Sequence, residues 1–148
     1  MHRVGRLLTG IWLLPAIWLL SGALAAQAPP EALQPVATMK ELMVDVIHPA
    51  SNSLLLAVNR GGPDDDRAWA EARRSAMTLA ESGNLLIMRN RAAAWVADAR
   101  RLTDVGTAAY RAAAAKDARA LAALADRIDA SCTMCHTEFR PTVFPPAR

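Results

Sequence analysis

Aromatic side chains are scarce: four Trp, two Phe and one Tyr make up 5% of the sequence. β-Branched residues are also sparse beyond the first thirty positions, and both shortages disfavour sheets. There are only two cysteines, too few for a disulfide framework. The apolar run Ile11 to Leu20 is shorter than the ~20 residues that span a bilayer, which weighs against the rival reading of the leading segment as an uncleaved membrane anchor. Nor is there a real excess of one charge. Of 17 Lys and Arg, Arg3 and Arg6 lie in the leading segment, leaving 15 against 14 Asp and Glu, a net of +1. The pI of 9.4 belongs to the whole chain. A charge so close to zero gives no reason to expect nucleic acid as a partner.

What is abundant is alanine, with leucine and arginine, all good helix formers, so composition points to an all-α fold. Hydrophobic residues reach 53% of 148 positions, enough for one domain with a core. Arg3 and Arg6, the apolar run and Ser21-Gly22-Ala23-Leu24-Ala25 form a secretory signal. The expected cut follows Ala25. This gives a signal peptide over 1–25 and a soluble, periplasmic domain over 26–148.

Four apolar-periodic stretches follow, separated by breakers. The first is expected over about 31–59, with Val36, Met39, Met43, Val46 or Ile47, Ala50 and Leu54 on its stripe and a kink or break near His48, before Pro49. Gly61-Gly62-Pro63 ends it. Asp64-Asp65-Asp66 opens the second, over about 67–88, because carboxylates suit the free N–H groups of a helix start. Its stripe is Trp69, Ala72, Ala76, Leu79, Gly83 and Leu86. Asn90 marks a turn, and the third runs over about 92–115 through Trp95, Ala99, Leu102, Val105, Ala109 and Ala113. Lys116-Asp117 reads as a terminal cation and a fresh cap. The fourth starts at Ala118 and carries Leu121, Leu124, Ile128, Cys132, Cys135 and Phe139, with Pro141 and then Pro145-Pro146 as stops. Short loops between such helices predict an antiparallel four-helix bundle. Trp69, Trp95 and Tyr110 are expected to fill core volume, and Arg73-Arg74 and Arg100-Arg101 to be solvated faces.

Cys132-Thr133-Met134-Cys135-His136 carries the chemistry. Two thiols at this spacing can each capture one vinyl group of a haem, and the adjacent histidine can reach beneath the iron. On a helix the three residues stand at i, i+3 and i+4, on one face. The expectation is one haem c, attached to the last helix through Cys132 and Cys135 with His136 as the proximal ligand. The competing readings are weaker. A dithiol redox pair sits near a β-α-β pattern, which is absent. A structural zinc wants four ligands, while the chain has three histidines, one of them (His2) in the signal. A disulfide leaves the histidine unexplained.

A haem motif near the end of a four-helix bundle, Cys132-x-x-Cys135-His136-x-x-Phe139-Arg140, resembles the class II c-type cytochromes, the cytochrome c′ family. The resemblance implies that Arg140 lies near the haem and can serve a propionate; the alternative is a plain cap for the helix C-terminus. Ligated members of the family use a methionine of the first helix as sixth ligand, and Met43 falls at the matching position, although Met39 stands where those members have an arginine. Met39, His48 or an open distal side are the alternatives, and a methionine at helical spacing can also be core filler. The expected role is electron transfer between redox partner proteins; the rival is a five-coordinate protein that binds small gases such as NO or CO. Family members often pair through their first two helices, so the resemblance allows a homodimer. No paired acid and base, and no nucleophile with an orienting partner, indicates an enzyme.

Overall fold

The computed structural model describes residues 33–143. The signal peptide expected over 1–25, the Pro29-Pro30 lead-in and Pro145-Pro146 lie outside them. The described chain is helical, and no strand occurs among the described residues. It runs as α1 (Met39–Glu41), a π-helical turn (Leu42–Ile47), α2 (His48–Asn59), α3 (Asp66–Arg89), α4 (Ala93–Ala114), α5 (Ala118–Ala122) and α6 (Ala125–Val143). The first three segments make one continuous arm, and α5 with α6 makes another. The first arm packs on α3, α3 on α4, α4 on α6, and α6 returns to α2. Four helical arms thus enclose one core. None of the described helices is long and apolar enough to cross a membrane.

The caps follow local chemistry. Gly61 and Gly62 take φ of 99° and 101°, the left-handed region that glycine enters without a Cβ clash. Asp65 Oδ1 accepts from the N–H of Ala68 at 2.6 Å, opening α3. Asn90 Oδ1 accepts from Ala92 N–H in the α3–α4 turn. Lys116 is left-handed at φ 53°, and Asp117 caps α5 through Ala120 N–H. Lys116 Nζ meets Asp66 Oδ1 at 2.6 Å. This hydrogen bond, and then the lysine's charge, hold the Asp66 carboxyl below its usual range.

The α3–α4 pair is antiparallel, as its contacts show. Trp95 near the start of α4 reaches Leu86 near the end of α3, while Lys116, just past α4, reaches Asp66 at the start of α3. Between them the backbones come close. A Cβ placed on Gly106 would stand 2.5 Å from Ala80 N and 2.7 Å from its Cα. Gly106→Ala is therefore expected to destabilise the bundle by about 1–3 kcal/mol through overpacking, outweighing the ~1 kcal/mol that alanine gains in helix propensity. An unchanged urea midpoint would mean that the helices do not meet so tightly.

Several expectations need correction. The first arm starts at Met39, not near 31. Thr38 closes a capping box with Glu41, its hydroxyl accepting from Glu41 N–H while Glu41 accepts from Thr38 N–H, and this fixes the helix start. Val36, ahead of the cap, is fully exposed and not on the stripe. The expected kink at Pro49 takes the form of the π-helical turn just before it. His48 N–H bonds to Met43 O, five residues back. The wide turn lets a residue without a donor enter α2 at its first turn. Leu42 and Ile47, five apart, are both buried there.

The fourth arm is interrupted. Leu124 N–H bonds to Leu121 O, a tight turn that keeps Leu121, Leu124 and Ile128 all in the core. Pro141 does not stop α6, which continues to Val143, the last described residue. Tyr110 is exposed rather than core, whereas Trp95 is buried.

Candidate haem site

The candidate residues sit where three arms face one another. α6 brings Cys132, Cys135 and His136 to one side by their i, i+3, i+4 spacing. Across from them stand Met39, Met43 and His48 of the first arm, and α4 closes the wall with Trp95, Asp98 and Leu102. All of these line one cleft of about 1140 Å³, at the upper end of ordinary ligand pockets. Arg140 lines it too, with its side chain exposed.

The first arm lines the cleft through its π-helical turn (Leu42–Ile47) and the first turns of α2. In a regular α-helix Met43 and His48 would point about 140° apart. Both nevertheless line the cleft, with Met39 one turn before Met43 and with Lys40, Val44 and Asn52 at four-residue steps from His48. Met39 and Met43 are half-buried and pack against the core, while His48 is exposed. The cleft therefore offers two thioethers and one imidazole opposite α6.

The walls are mostly apolar. Leu55, Leu86, Leu102 and Phe139 line the cleft with Trp95. Trp95 is held by its Nε1–H, which donates to Leu86 O at 2.8 Å. Its ring meets Phe139 edge-on at 5.0 Å between centroids and 68° between planes. Phe139 follows Cys135 by one turn, so this aromatic pair orients the motif-bearing face of α6 toward α4.

The thiols are half-buried and free. Burial pushes the Cys132 thiol up, with a hydrogen bond from Ser131 opposing and the charge of Asp129 adding to it. Burial is also the first cause at Cys135, followed by the negative fields of Asp98, Cys132 and Glu138, which together push it up to about 11. A reactive dithiol works through a lowered pKa, so this environment does not suit a thiol–disulfide catalyst. Among the described residues no three His, Cys, Asp or Glu side chains converge as a metal site.

One residue that the sequence did not single out also reaches the cleft. Asp98 is 6% exposed, and Arg101 on the next turn pairs with its Oδ1. Its position next to Ala99 on the α4 stripe was the only available hint.

The donor set suits a c-type haem: two half-buried thiols and an imidazole on one helix face, thioethers opposite, and an apolar gap between. The chain matches no known family model, no curated protein and no solved structure.

Proposed function

We propose that this chain is an exported, periplasmic c-type cytochrome with one haem c, serving as an electron carrier between redox partner proteins. The observation that supports it best is the meeting of Cys132, Cys135 and His136 with Met39 and Met43 across a single cleft. Cys132 and Cys135 would form the two thioethers, each thiol adding its sulfur and its proton across one vinyl group. His136 would be the proximal ligand and Met43 the distal one. Iron cycling between ferric and ferrous states supplies the one-electron chemistry, and imidazole opposite thioether favours a raised potential.

The rest is done by the fold. Leu55, Leu86, Trp95, Leu102 and Phe139 give the cleft an apolar wall that would limit water around the group. The Thr38–Glu41 capping box fixes the start of the arm that carries Met43, and that arm would keep the thioether opposite α6 as the distal ligand. Arg140 at the rim offers an exposed guanidinium to a propionate.

Optical spectra of the matured protein, in both oxidation states and with and without CO, test this reading. The expected result is a low-spin spectrum with the weak sulfur-to-iron band of a His/Met haem. Met43→Ala should abolish that band and open the iron to CO. A band that survives the substitution would exclude Met43 as the ligand. A wild-type protein that is high-spin and takes up CO at once would favour the five-coordinate, gas-binding alternative.

A further inference from the structure

The proposed ligands leave one buried charged group of the cleft without a role. Asp98 is 6% exposed, lies beside Leu102, Ala99 and Trp95, and lines the cleft on the side of Cys135. It also lines a smaller groove between α4 and α6, next to Thr133 and Glu138. Its partner is Arg101, whose side chain is 54% exposed. The neutralising cation is thus largely in water, whereas the carboxylate is inside. A pair split in this way is screened unevenly: the guanidinium's field is damped by solvent, and the carboxylate's field acts through a medium of lower dielectric. Burying a carboxylate with one outward-facing partner is costly for folding, and an apolar residue would fit the rest of this α4 stripe. The buried carboxylate shares the lining of this one cleft with Cys132, Cys135 and His136, so its negative field falls on the motif.

We propose that Asp98 is a potential-setting residue of this cleft: its buried carboxylate, incompletely neutralised by Arg101, stabilises the ferric over the ferrous state and lowers the reduction potential. The claim rests on the haem reading above and specifies how the chain adjusts that site. It involves no contact with iron. Asp98 acts through space, on the charge difference between the two oxidation states, and opposes the upward pull of a thioether ligand. Arg101 moderates the effect from outside.

Equilibrium redox titration of the matured protein and three variants tests it. Asp98→Asn removes the charge and keeps the shape, and its midpoint should rise. Arg101→Gln keeps the carboxylate and removes its counter-ion, and its midpoint should fall. In Asp98→Asn/Arg101→Gln the fall caused by the arginine change should shrink, because the carboxylate it unmasked is gone. A general loosening of the cleft would move the single variants in the same direction, so opposite signs distinguish a field from damage. Arg101 lies on the surface, so its variant remains informative if Asp98→Asn folds poorly. Midpoints that stay put, or that move together, overturn the role of Asp98 while leaving the cytochrome reading intact. Wild-type protein without covalent haem overturns both.

Discussion

Replacing Cys132 and Cys135 together with serine is expected to remove all covalent pigment, the largest functional effect of any change in this chain. Expressed in a host that matures c-type cytochromes, the wild type should keep its haem absorbance through denaturation and acid extraction, whereas the double variant should lose it. The cause is covalent: serine hydroxyls do not form thioethers, and His136 alone would hold haem only by a reversible bond. The fold should survive, because both cysteines are half-buried on α6 while the core of that arm is formed by Leu121, Leu124 and Ile128. Far-ultraviolet circular dichroism of the double variant should therefore remain helical. Pigment that survives denaturation in the double variant, or a colourless wild type, would refute the site.

The largest structural effect is expected at Trp95. Its ring is 4% exposed, its Nε1–H bonds to Leu86 O, and it meets Phe139 edge-on. Trp95→Ala should cost about 3–5 kcal/mol from lost burial and the cavity left behind, a large share of the ~5–15 kcal/mol that holds a typical domain together. Trp95→Phe keeps a ring against Phe139 but loses the donor, and should cost much less, on the order of 1 kcal/mol for the hydrogen bond. Urea midpoints separate the two. Equal losses would mean that the hydrogen bond, and not the packed ring, secures this corner. Because Trp95 joins α3 to α4 and, through Phe139, to the helix bearing the motif, the alanine variant should also disturb the optical spectrum of the matured protein, which Gly106→Ala need not do.

The two substitutions bear on different parts of the architecture. In the proposed reading the cysteines would act through bonds that local spacing alone arranges. Trp95 acts through neighbours on α3 and α6, and so depends on the bundle being assembled. The same division runs through the rest of the molecule.

Local sequence was enough to locate the helices and most of their ends. Asp65, Asn90 and Asp117 bond to backbone groups two or three residues away, and Gly61 and Gly62 adopt left-handed conformations for reasons internal to themselves. The stripes of α3 and α4, from Ala72 to Leu86 and from Trp95 to Ala113, were legible because three- and four-residue spacing holds within a regular helix. The Cys132–His136 motif was legible for the same reason. Tertiary structure decided everything that needed a second helix. It brought Met39, Met43 and His48 of the first arm to face α6 across one cleft. It left Tyr110 outside and drew Trp95 in, although both occur in the same helix. It also buried Asp98 beside the motif, where the sequence shows only an acid near an arginine. Caps and periodicity are short-range and written along the chain, whereas burial, facing and the strength of a charge depend on what other arms of the bundle bring near.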